Sequence, residues 1–174
     1  MAERLEFFDD HFIIKKYPFF PSFFARDLTV SASEILEADL HQCVVRLKND
    51  LIYLPDWPRE TLSAFCLNNR IKVGVRYDVW AHILDPFVDT SYNSNEVQNR
   101  NDQLRQAGFS AWRTFRLRLL FAFPILLFQG IAGEWTGLYH YHLLYSLRSL
   151  RLVNLYGLAY RFTMKIALEP YHRA

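Results

Sequence analysis

The run from Leu119 to Leu147 constrains this chain more than any other. It reads LLFAFPILLFQGIAG, then Glu134, then WTGLYHYHLLYSL, and Glu134 is its only formally charged residue. Arginines close both ends, with Arg113, Arg116 and Arg118 before it and Arg148 and Arg151 after it. Such a run has two physical solutions: helices covered by their own protein, or a surface that touches lipid or other polypeptides. Leu119 to Tyr139 is 21 residues, about 31 Å as a helix, against a hydrocarbon thickness of ~30 Å. Trp135 and Tyr139 would then mark one boundary, and Arg116 and Arg118 the other. Glu134 would cost on the order of 3 kcal/mol in lipid, which makes it the candidate for a buried ion pair. Arg148 and Arg151 cut the C-terminal remainder into short apolar runs, so the sequence allows at most one span. Both flanks are positive, and orientation stays open.

Charge separates along the chain in the same sense. Residues 1–88 hold 10 Lys/Arg against 13 Asp/Glu, whereas residues 109–174 hold eight against two. The basic charge therefore travels with the apolar third, which points to a membrane surface or an acidic protein. Nucleic acid fits less well, because Leu and Val separate the basic residues. The N-terminus carries Glu3, Glu6, Asp9 and Asp10, unlike a signal or transit peptide, so no cleavable targeting peptide is expected. Cys43 and Cys66 match no zinc or CxxC spacing and read as buried thiols in a reducing compartment.

Periodicity predicts a mainly α chain with at most short extended segments. An N-terminal aromatic and helical domain is expected over 1–88, a polar linker or short polar helix over 89–108, and an apolar, basic helical module over 109–174. Pro18 and Pro21 interrupt the aromatic tract at 5–28, within which His11 to Tyr17 suits a short strand or an extended arm. Ser31 and Glu34 form a capping box, and Ile35, Leu36, Leu40, Val44 and Leu47 then recur at helical steps, predicting a helix over 32–48. LIYLP at 51–55 reads as extended, and a second helix follows Asp56 and Pro58. In the polar segment, Val97, Leu104 and Ala107 mark one narrow stripe of a helix stopping at Gly108. Ser110 caps the next helix, which carries Trp112, Phe115, Leu119, Leu120 and Phe123 and should kink at Pro124. A last long helix is expected from about Glu134 to Leu168, with Arg148, Arg151, Arg161 and Lys165 in one arc.

No GxSxG, P-loop, GxGxxG or HExxH signature is present, and His140 and His142 stand on different sides of a helix. No catalytic residue, metal or cofactor is assigned. The expected role is a non-catalytic accessory subunit of a larger, membrane-bound multi-protein complex, for which an organellar inner membrane is a natural setting. Contact with lipid or partner proteins is assigned to Arg116, Arg118, Leu120, Phe123, Phe128, Trp135, Tyr139, Arg148, Arg151, Arg161 and Lys165. The alternative is a soluble DNA-binding or regulatory module with a helix-turn-helix-like segment at 58–87, in which Arg70, Lys72 and Arg76 would face phosphates.

Overall fold

The computed structural model describes residues 5–19, 26–54, 59–87, 94–132, 138–148, 150 and 155–172; at positions 94, 96, 122–124, 126–132 and 172 the description is confined to the backbone. The chain divides into two compact units, Met1–Arg76 and Tyr77–Ala174. The expectation of a mainly α, or all-alpha, protein is overturned. The first unit is built on two three-stranded antiparallel sheets, and helices predominate only in the second.

In the first unit, β1 (Leu5–Phe7), β2 (His11–Tyr17) and β3 (Arg26–Ser31) form one meander. Along β2 the side chains of Phe12, Ile14 and Tyr17 are buried. The step from Ile14 to Tyr17 breaks strict alternation because the register shifts there, at the left-handed Lys16 (φ 56°). Asp27 stabilises that irregularity by accepting the Lys16 N–H at 3.0 Å. A second meander comprises β4 (Glu37–Asp39), β5 (Val44–Arg46) and β6 (Leu51–Tyr53). The Tyr17 hydroxyl accepts the Tyr53 N–H at 3.1 Å and so links the two sheets. Helix α1 (Arg59–Asn68) buries Leu62, Phe65 and Cys66, and Phe65 packs on Phe7 and Phe12 of the first sheet.

The helix expected over 32–48 is absent, for a local reason. Glu34 does accept the Ser31 N–H at 3.2 Å, but the signal starts only a single 3₁₀ turn, Ala32–Glu34. Asp39 then turns the chain by accepting the N–H groups of His41 and Gln42 at 2.7 and 2.9 Å. Its other oxygen accepts the Arg76 N–H at 2.7 Å. Side-chain bonds of this kind compete with the helical ladder. Beyond the left-handed Cys43 (φ 48°), the β-branched Val44 and Val45 pair with β4 and β6. Glu37 and Arg46, which would lie nine positions apart on a helix, meet across the β4–β5 pair at 3.3 Å.

The second unit contains α2 (Val79–Leu84), α3 (Ser94–Gln106), α4 (Ala111–Ala132), α5 (His140–Leu147) and α6 (Tyr156–His172). The polar segment at 89–108 is therefore helical from Ser94. It ends in a Schellman turn: Gly108 (φ 86°) donates to Arg105, and Phe109 donates to Leu104. Leu104 and Phe109, both buried, supply the apolar contact that accompanies this motif. The single long helix expected from about Glu134 to Leu168 is instead two helices, α5 and α6. Tyr139 begins α5 in an extended conformation, with φ −108° and ψ 169°. The apolar run is thus divided, with α4 ending at Ala132 and α5 starting at His140. No helix among the described residues is long and apolar enough to cross a membrane.

Candidate interaction surface

Short helix α2 sets the positions of the longer ones. Asp78 caps it by accepting the N–H groups of Trp80 at 3.0 Å and Ala81 at 3.4 Å. The second carboxylate oxygen of Asp78 accepts the His140 N–H at 3.2 Å, so one buried side chain serves the starts of α2 and α5. At the other end, Arg118 of α4 donates to the carbonyls of Ile83 at 2.9 Å and His82 at 3.3 Å, where a cation complements the helix dipole. Trp80, with no solvent exposure, donates its indole N–H to the Thr163 carbonyl of α6 at 2.9 Å. Its ring meets Phe121 of α4 edge-on at 5.1 Å and stacks over His140 of α5 at 6.0 Å.

These anchors fix which side of α4 faces inward. Thr114, Leu117, Phe121 and Ile125 are buried. At 100° per residue the opposite arc carries Trp112, Phe115, Arg116, Leu119 and Leu120. The four apolar members of that arc are exposed, from 53% for Phe115 to 69% for Leu119. The stripe whose spacing predicts the helix is thus the outward one. Polar and apolar residues stand on both sides, so periodicity alone had no means of orienting it.

Helix α6 continues the same surface. Arg113 of α4 grips Glu169 of α6 through two hydrogen bonds of 2.8 and 2.6 Å, and Phe121 stacks on Phe162 at 6.2 Å. These two contacts run in opposite order along the chain, so the helices lie antiparallel. An open groove of about 680 Å³ lies here, lined by Trp112, Arg113, Arg116, Leu117, Leu119, Leu120 and Phe162. Beside it α6 exposes Leu158 (65%), Arg161, Phe162 (43%) and Lys165. Six large apolar side chains so exposed amount to roughly several hundred Å², the size at which a patch marks an interaction site.

Of the residues assigned from sequence, Arg116, Leu120, Arg161 and Lys165 come together on this face. Arg118 sits on α4 but turns to the α2 carbonyls, and burial lowers its pKa from the usual arginine value. Tyr139 is exposed at the start of α5, and its N–H donates to His142 Nδ1 at 3.0 Å. Arg148 ends α5 with its guanidinium over the Tyr145 ring at 5.3 Å. With α5 and α6 separate, the arc expected to unite Arg148 with Arg161 and Lys165 does not lie on one helix. Phe123 and Phe128 belong to α4, but their side chains fall outside the description. Glu134, Trp135 and Arg151 lie outside the described residues altogether. Trp112, Phe115, Leu119, Leu158 and Phe162 complete the surface without having been assigned to it. For Trp112, Phe115 and Leu119 the sequence signal was their helical spacing, which did not say whether that stripe faces in or out.

Burial pushes the His142 pKa down to about 4, and it also lowers that of His82, which stacks on Tyr77 at 4.8 Å. Burial likewise raises the Cys66 thiol to about 11 in the first unit, where Cys43 and Cys66 are thiols rather than a disulfide. Among the described residues no group of three His, Cys, Asp or Glu side chains is placed to hold a metal ion. The helices of the helix-turn-helix alternative fall in different compact units, α1 in the first and α2 in the second. Val79, Trp80, Ile83 and Leu84 of α2 are buried, whereas a recognition helix must present a free face. Comparison of the chain with protein-family models, with curated proteins and with solved structures finds no significant match.

Proposed function

We propose that this protein is a non-catalytic accessory subunit of a larger, membrane-bound assembly, seated there by the α4–α6 face of its second unit. The observation that carries the reading is the outward arc of α4, where Trp112, Phe115, Leu119 and Leu120 are all exposed around Arg116. Water covers such an arc at a free-energy cost of about 25 cal/mol per Å², and a neighbour removes that cost. The inward arc is already covered where Trp80 meets Phe121 edge-on, so among the described side chains of α4 the demand for a neighbour lies on the outward side.

The test is co-purification of the tagged full-length chain from its native source in mild detergent. The wild type should bring a defined set of proteins with it, and L119E/L158E should lose them while keeping its helical circular dichroism. A wild-type chain recovered as a free monomer, with no co-purifying protein, would overturn the proposal.

A further inference from the structure

Resting on that reading, we infer that the α4–α6 face is covered by the anionic leaflet of a bilayer, with both helices lying along the interface rather than crossing it. The sign of the face is the first argument. Arg116, Arg161 and Lys165 are exposed, and none pairs with a carboxylate among the described residues. Helix α4 contains no Asp or Glu, and the Glu169 carboxylate of α6 is engaged on both oxygens by Arg113. Among the described residues the surface is therefore cationic without an internal counter-charge, and it calls for an anionic cover.

How the cations are placed is the second argument. A protein–protein interface concentrates apolar side chains at its centre, keeps most charge at the rim and, though enriched in Arg, is depleted in Lys. Here the two kinds alternate on the same arcs: Arg116 between Trp112 and Leu119 on α4, and Arg161 and Lys165 beside Leu158 and Phe162 on α6. At a lipid boundary this mixture is satisfied at every position. The Leu, Phe and Trp side chains enter the acyl boundary, while the long basic side chains extend upward to phosphate oxygens. The open groove between the helices suits acyl chains, which can fill an irregular floor.

The experiment uses the full-length chain and phosphatidylcholine vesicles with and without phosphatidylglycerol. Co-sedimentation should occur with the anionic vesicles, weaken at high ionic strength, and fall on the order of 100-fold in R116Q/R161Q/K165Q. None of these three side chains has an ion-pair partner among the described residues, so the variant should keep the wild-type melting temperature. Brominated acyl chains should quench tryptophan fluorescence in the wild type, and W112F should lose much of that quenching. Equal binding to neutral and anionic vesicles overturns the inference. So does the absence of vesicle binding in a chain that still co-purifies with native proteins, in which case the attachment reading stands and a protein covers the face. A chain that binds neither vesicles nor proteins removes both.

Discussion

Replacing Asp78 by Ala withdraws a carboxylate from three backbone N–H groups, those of Trp80, Ala81 and His140. The site is buried, so water cannot take over, and the loss should reach about 3 kcal/mol. Denaturant titration of D78A measures it; a loss under about 1 kcal/mol would mean that α2 and α5 do not depend on this cap. The His142 imidazole gives a pH dependence whose sign is fixed. Its pKa is about 4 in the folded chain, against 6.5 for a free imidazole, so the unfolded chain binds the proton more readily. Stability should therefore be complete above about pH 6.5 and decline as the pH falls toward 4, by at most about 3 kcal/mol. Solvent access to the partly buried ring reduces that figure. H142Q should flatten this part of the melting curve against pH. Tyr77 shows the opposite case: its hydroxyl is buried without a hydrogen-bond partner among the described residues. Y77F should be neutral or stabilising by up to about 1 kcal/mol in thermal unfolding.

Two helix ends carry the same motif with different residues. At the end of α1, Ile71 donates to Cys66 and Arg70 donates to Leu67, with Arg70 in the left-handed conformation at φ 54°. At the end of α3 the equivalent position is Gly108. A side chain in that conformation costs about 1–2 kcal/mol, which glycine avoids. R70G should then raise stability by about 0.5–1 kcal/mol, the gain being offset in part by the freer unfolded chain, and G108A should lower it by at least about 1 kcal/mol. Chemical denaturation of both variants reads opposite signs if the two turns are built alike. The Gly108 stop was legible because glycine announces a left-handed turn. Arg70 carries no such announcement, and only the surrounding hydrogen bonds reveal its conformation.

For the whole molecule, burial separates side chains of one kind into two classes. Leu117 and Leu119 are two residues apart on α4, yet one is 5% exposed and the other 69%. L117A should cost about 2–5 kcal/mol, while L119S should change stability by no more than about 0.5 kcal/mol. Comparable losses from both would mean that Leu119 is covered by the chain itself, and the α4–α6 face would cease to be a surface. The apolar third also differs from the sequence expectation in where its cover comes from. Much of it is shielded within the second unit, by Trp80, Phe121, Leu143, Leu144 and Tyr160, which are all buried there. Among the described residues of α4 and α6, the demand for outside covering falls on one face.

Features under short-range control were legible in the order of residues alone. The strand at His11–Tyr17, the extended piece at Leu51–Tyr53, the start of α4 after Ser110, and the stop at Gly108 all follow from alternation, caps and a glycine turn. Long-range packing settled the rest, where local signals compete. Between Ile35 and Lys48 a helical pattern and a capping box lost to bonds made by Asp39 with the distant Arg76 and to strand pairing through Val44 and Val45. Packing also set which side of α4 faces outward, because a helix with apolar and basic residues on both sides has no inward direction until Trp80 and Glu169 supply one. A cap or a turn is closed by neighbours in sequence and can be read from them. A burial direction is set by groups far along the chain, and no local pattern contains it.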